Sequence, residues 1–264
     1  MLTDQRPLET GLTDRTAPDQ IVKGLNLDGK TVLITGGHSG IGLVDTKALS
    51  EAGARVVVGA RDTEKARSAL AGLKNVTFDR LDLADPASID SFSERLVNTH
   101  ATLDILINNA GIMALSSLSR DARGHELQLA TNHLGHFQLT ARLWSALRAA
   151  KSSRVISLSS YGHRFSGIHF EDMHYNHRPY EKWGAYGQSK TANSLFAVEL
   201  DRRGQPFGIR AFAVHPGRIP ATDLKRFMTA DEQETAMRGV TVRRRTAFTS
   251  RVSRKVLRPP YGRR

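Results

Sequence analysis

The feature that most constrains this chain is an alternation of two patterns. Short, β-branched runs occupy Thr31 to Thr35, Arg55 to Gly59, Val76 to Leu83, Leu103 to Asn108, Arg154 to Ser159 and Arg210 to Val214. Between them lie longer helical patterns: Ile41 to Ala52, Asp62 to Gly72, Pro86 to Thr99, Asp121 to Ala150 and Tyr186 to Arg203. Pro86 behind Asp85 is a good helix start, with a carboxylate at the cap and proline in the first turn. Strands apolar on both faces and regularly followed by helix predict a parallel sheet covered on both sides. The expected fold is therefore α/β, a doubly wound parallel sheet in a single domain over residues 29–237. Residues 1–28 read as a polar lead-in and residues 238–264 as a separate Arg-rich tail.

The first strand runs into Gly36-Gly37-His38-Ser39-Gly40-Ile41-Gly42. Glycines at 36, 40 and 42 at a strand-to-helix turn let backbone approach a pyrophosphate, and the helix start offers unpaired N–H groups. The spacing is GxxxGxG rather than GxGxxG, and any tight turn of this kind favours glycine. Its position, opening a Rossmann-type βαβ unit, is what points to a dinucleotide. His38 is a candidate second contact to the phosphate, with Ser39 and Ile41 alongside. At the end of the second strand a carboxylate would hold a ribose 2′-hydroxyl; Arg61 stands there instead, followed by Asp62. A guanidinium suits a 2′-phosphate, which predicts NADP over NAD. Asp62 taking the ribose hydroxyl is the alternative.

Asn108-Asn109-Ala110-Gly111 after the fourth strand, together with the glycine turn, Asn132, Ser160 and Tyr186-Gly187-Gln188-Ser189-Lys190, resembles the short-chain dehydrogenase/reductase family. The likeness runs in order from about Leu27 to Met228. The long stretch from Tyr161 to Ala185, and Ser189-Lys190-Thr191-Ala192-Asn193, resemble its retinol dehydrogenase and protochlorophyllide reductase branch. The resemblance implies hydride transfer between NADP(H) and a carbonyl or alcohol, with Asn132, Ser160, Tyr186 and Lys190 as catalytic residues. It implies that Asp82 and Leu83 lie near the adenine, and Asn109, Ala110 and Gly111 beside the nicotinamide ribose. It also implies that Lys190 holds the ribose hydroxyls and that Pro216, Gly217 and Ile219 meet the carboxamide. The pattern departs at Thr222, one position later than usual.

The chemistry of these residues can be argued independently. Tyr186 and Lys190, four apart, share a helix face. A neighbouring ammonium favours a phenolate, so Tyr186 could exchange a proton with a substrate oxygen. Ser160, just past the fifth strand, could donate to a developing oxyanion. Taken singly, Asn132 could equally cap or bend a helix, and Tyr186 could be a packed aromatic. The chain has ten histidines, but none in a zinc-binding HExxH pattern. They are expected to be solvated or core residues, with no metal.

Charge first suggests another partner: 38 Lys+Arg against 26 Asp+Glu, net +12. Ten of those cations and no acid lie between Arg238 and Arg264, which leaves 28 against 26 in the rest of the chain, net +2. Nucleic acid is therefore not expected as a partner of the body. The tail could be a solvated basic end that binds nucleic acid or anionic lipid, an unstructured end without a role, or a reading-frame shift in a GC-rich gene. The abrupt change of composition, and the lack of a final strand pattern, favour the third. A non-catalytic dinucleotide-binding protein with a nucleic-acid-binding tail is the alternative function.

The absence of cysteine excludes a structural disulfide and a thiolate zinc site, and fits a reducing cytoplasm. No run approaches 18 apolar residues, so no membrane span is expected. The resemblance implies dimer and tetramer contacts through two long helices plus the last strand and helix; with the first pattern present and the second missing or altered, the expected assembly is at most a homodimer.

Overall fold

The computed structural model describes residues 11–13, 16–217, 219 and 223–234. It divides into two compact units, Met1–Met228 and Thr229–Arg264. In the second, only residues 229–234 are described, with helix over 230–234. The Arg-rich segment 238–264 lies outside the described residues.

The first unit is built on six parallel strands: β1 (Thr31–Thr35), β2 (Arg55–Ala60), β3 (Val76–Arg80), β4 (Ile105–Asn108), β5 (Ser153–Leu158) and β6 (Ile209–Val214). Their order across the sheet is β3-β2-β1-β4-β5-β6. The chain winds outward one way from β1 through β2 to β3, then crosses back to β4. The crevice between the carboxyl ends of β1 and β4 is the topological switch point, where open α/β sheets bind ligands. Register is continuous through the centre, with Ile34 opposite both Val58 and Ile107.

The period-2 alternation of β1 divides the core. Val32 and Ile34 join Val56, Val58 and Ala66 on one face. Leu33 joins Val57, Phe92, Leu106, Leu139 and Leu147 on the other. Every one of these is buried, and full burial of a side chain as large as Phe92 is worth about 1.5–3 kcal/mol. Lys30 and the Thr31 amide both bond to the Asp104 carboxylate, at 2.9 Å each, and pin the start of β1.

The helices are α1 (Pro18–Val22), α2 (Gly40–Glu51), α3 (Thr63–Ala69), α4 (Pro86–Thr99), α5 (Leu127–Leu129), α6 (Gly135–Arg142), α7 (Trp144–Ala149) and α8 (Lys182–Gly204). The short α1, within the lead-in, buries none of its residues. Two boundaries differ from the sequence expectation. The helix expected over Asp121 to Ala150 begins only at Leu127, where the buried Glu126 carboxylate accepts from the Gln128 and Leu129 amides at 2.9 and 2.7 Å. It then passes through a π-helical turn, Ala130–Leu134, and breaks at Leu143 between α6 and α7. The helix expected from Tyr186 starts earlier, at Lys182, because Glu181 caps it by accepting from Trp183 N at 2.9 Å. Residues 185 to 190 of α8 are all buried, so this stretch has no polar face that sequence periodicity could report.

Candidate active site

The cleft at the switch point has a volume of about 300 Å³. Gly36, His38, Ser39, Gly40 and Ile41 line one side, and Asn109, Ala110 and Gly111 face them from the end of β4. Arg61, Asp82 and Leu83 close the far end. Gly36 and Gly40 have φ of +67° and +52°, a region costly for a residue with a Cβ. Gly42 does something else. Its missing Cβ makes room for Asn109 Nδ2 and the Gly36 carbonyl, 2.6 and 2.7 Å from where that atom would sit. It packs the turn and does not line the cleft. Bare backbone, a helix start and cations at the far end form a donor set that fits a dinucleotide phosphate.

Asp62, the alternative ribose ligand, caps α3 by accepting from Lys65 N at 3.0 Å. Its Oδ1 is thereby committed to the helix. Arg61 and Asp62 are both exposed and both line the cleft, Asp62 with its Oδ2 still open to it. Lys65, one helical turn along, lines the cleft too, and the four-residue spacing from Arg61 could have signalled it. Also unanticipated are Ile112, Thr131, Leu224 and Arg226. Ile112 and Thr131 adjoin residues already singled out, whereas nothing local marks Leu224 or Arg226. Pro216, Gly217 and Ile219 do not line the cleft; Gly217 and Ile219 are exposed, and Gly217 N donates to His215 Nδ1 at 3.2 Å.

Beyond the Asn109–Gly111 edge stands the polar group from α8 and β5. Ser160 caps the short 3-10 turn Tyr161–Arg164, its Oγ accepting from Gly162 N at 3.1 Å. Ser160 also acts on the Tyr186 phenol in the direction that favours the phenolate, but burial outweighs it and holds the Tyr186 phenol above its ordinary pKa. The sequence expectation of a phenol lowered by Lys190 is thus not the balance found here, where burial dominates. Lys190, only 4% exposed, donates from Nζ to the Leu158 carbonyl at 2.9 Å, and burial pushes its pKa down to about 8. Its Nζ lies 5.7 Å from the centre of the Tyr186 ring.

Asn132 is completely buried in the π-helical turn. Its Oδ1 accepts from Ile112 N at 2.8 Å, while Nδ2 donates to Ile112 O and to Ser189 Oγ, both at 2.9 Å. A Cβ on Gly111 would stand 3.1 Å from Asn132 Oδ1 and 3.8 Å from Lys190 Nζ. The fold therefore brings Asn132, Gly111 and Lys190 together, and sets Ser160 and Tyr186 against the same glycine, Gly162.

Among the described residues no group of three or more His, Asp or Glu side chains could hold a metal ion. His136 is a core residue at 2% exposure, and His133 is half-buried beside Asn193. Among the same residues no helix is long and apolar enough to cross a membrane.

Comparisons with known proteins agree with this geometry. The family model for short chain dehydrogenases matches residues 30–233. A Streptomyces lividans protein named "Probable oxidoreductase" is 44% identical over 200 residues, which cover 74% of this chain and 66% of that protein. Human retinol dehydrogenase 13 is 39% identical over 206 residues, covering 76% of this chain and 62% of the relative. The matched part thus spans somewhat less than two thirds of these relatives' own length. Among solved structures, the Pseudomonas aeruginosa RhlG/NADP active-site complex superposes with a TM-score of 0.66 at 28% identity, covering 82% of each chain. An uncharacterized protein from Mycobacterium paratuberculosis superposes at 0.69 with 38% identity, covering 82% of this chain and 79% of its own. By sequence and by fold, this chain belongs to the short-chain dehydrogenase family, in the branch that holds the retinol dehydrogenases.

Proposed function

We propose that this chain is an NADP(H)-dependent oxidoreductase acting between a carbonyl and the corresponding alcohol. The observation that carries this reading is that Ser160 and Tyr186 both stand against Gly162, with Lys190 beside the Tyr186 ring and close to Gly111. When bound, the cofactor would supply or accept the hydride at its nicotinamide ring. Tyr186, kept protonated at neutral pH by its burial, would give its proton to the substrate oxygen as that oxygen becomes an alkoxide. Ser160 takes the Gly162 amide proton on a lone pair, so its own O–H can turn to the same oxygen and stabilise the charge. Lys190, a buried cation at neutral pH despite its lowered pKa, would be stabilised beside the anionic phenolate and so favour its formation.

Preference for NADP(H) rests on Arg61 and on one Asp62 oxygen being committed to the α3 cap. The solved RhlG relative, which carries NADP, supports the same reading. The test is an NADPH-oxidation screen over aldehydes and ketones, with KM measured for NADP(H) and NAD(H). Turnover with a clearly lower KM for NADP(H) is expected; tighter NAD(H), or no turnover with any carbonyl, defeats the proposal.

A further inference from the structure

His136 is the most deeply buried imidazole in the described structure for which the chemistry above has no use. It lies on α6, 2% exposed, and burial pushes its pKa down to about 3, so it is neutral at physiological pH. Its two ring nitrogens face unlike partners. Nδ1 is 3.0 Å from the Asn132 carbonyl oxygen, which can only accept, so Nδ1 carries the proton. Nε2 is then bare and must accept. Its partner, 2.8 Å away, is Thr35 Oγ1. That oxygen already receives the Asn109 and Ala110 amides, at 2.9 and 3.0 Å. Its lone pairs are spoken for, and its own proton goes to His136 rather than to the Ile107 carbonyl 3.4 Å off. One tautomer satisfies every group.

These bonds form a chain around the cleft. Thr35 ends β1 and precedes Gly36, while Asn109 Nδ2 returns to the Thr35 carbonyl at 2.8 Å. Through His136 the chain reaches the Asn132 carbonyl. From the Asn132 side chain it continues to Ile112 and to Ser189, the neighbour of Lys190.

We infer that His136 is a positioning residue, whose Nδ1–H tautomer ties the Asn109–Ala110 turn to the π-helical turn of Asn132. It thereby fixes the spacing between the nicotinamide edge of the cleft and Lys190. This rests on the proposed oxidoreductase reading, and acts through Thr35 and Asn132 without contact to substrate. A displacement on the order of 1 Å at such a site can cost roughly 100-fold in rate.

The tautomer can be read directly. In ¹⁵N NMR of the wild-type protein at pH 7, His136 is expected to show a protonated Nδ1 and an unprotonated Nε2; the reverse overturns the inference whatever the activity. His136→Phe keeps the ring volume and removes both bonds. It should lower kcat for NADPH roughly 10- to 100-fold. Affinity for 2′,5′-ADP, which engages only the adenosine end, should stay within about twofold. Thr35→Val should give a similar loss and Thr35→Ser should recover most of it, while the double variant His136→Phe/Thr35→Val is no worse than the single ones. Equal kcat in His136→Phe and wild type defeats the inference while leaving the oxidoreductase reading intact. Wild-type protein that neither binds 2′,5′-ADP nor oxidises NADPH defeats the oxidoreductase reading itself. A His136→Phe chain that does not fold leaves the NMR tautomer and the Thr35 pair to decide.

Discussion

Lys190 Nζ donates to the Leu158 carbonyl at 2.9 Å, and that carbonyl also accepts from Asn193 Nδ2 at 3.0 Å. The amine is thus anchored to the end of β5 before any ligand arrives. The anchor offsets only part of the cost of burying a cation, which is why the folded pKa falls to about 8 from 10.5. Between these two values the unfolded chain binds more protons than the folded one, so this group makes stability rise with pH. The burden is fully present below about pH 8 and gone above about pH 10.5. Relative to Lys190→Met, which removes the titration, wild-type unfolding free energy should climb by up to about 3 kcal/mol across that window. Denaturant titrations of both proteins at pH 7, 9 and 10.5 measure it. A constant difference contradicts the burial assigned to Lys190.

Asp45, on α2, offers the opposite sign. Its half-buried carboxyl is pushed up to about 6 by desolvation. The folded state therefore binds more protons between pH 4 and 6, and stability contributed by this group falls as pH rises through that range. Asp45→Asn should be more stable than wild type at pH 7 by about 1–2 kcal/mol, a figure reduced for the residue's partial exposure. The gap should close near pH 4. Thermal unfolding at pH 4, 5.5 and 7 checks both the sign and the window.

Tyr186→Phe removes the proposed proton donor and little else, since the ring stays packed against Gly162. Turnover should fall by roughly 10²- to 10⁴-fold, the usual worth of a positioned acid. Binding of NADPH, followed by its fluorescence, should survive. Retained turnover would exclude Tyr186 as the proton donor.

Arg61→Ala probes the far end of the cleft. Loss of charge-assisted bonds worth about 1.5–3 kcal/mol should weaken NADP(H) by roughly 10- to 100-fold and leave NAD(H) nearly unchanged. Lys65→Ala should act in the same direction and less strongly. Equal weakening of both cofactors would mean that Arg61 serves the fold or the diphosphate and not a 2′-phosphate.

The sheet was legible from local pattern alone, because a β-branched run buried on both faces between helices has few other ways to fold. The glycine turn, Asn109–Gly111, Ser160, Tyr186 and Lys190 were legible for a similar reason: each follows a strand or repeats at helical spacing, and those short-range relations survive folding unchanged. What each side chain meets was not. Gly42 reads like its neighbouring glycines, yet space for Asn109, 67 residues away, decides its role. Asp62 and Arg61 are adjacent and both line the cleft, and only the assembled structure shows that one Asp62 oxygen is held by the α3 cap. His136 looks like any histidine on an apolar helix until Thr35 and Asn132 close on its two nitrogens. Burial, too, belongs to the assembled structure. It holds Tyr186 above its ordinary pKa although the i to i+4 lysine suggests the reverse, since desolvation depends on every element packed around the ring and not on the helix that carries it.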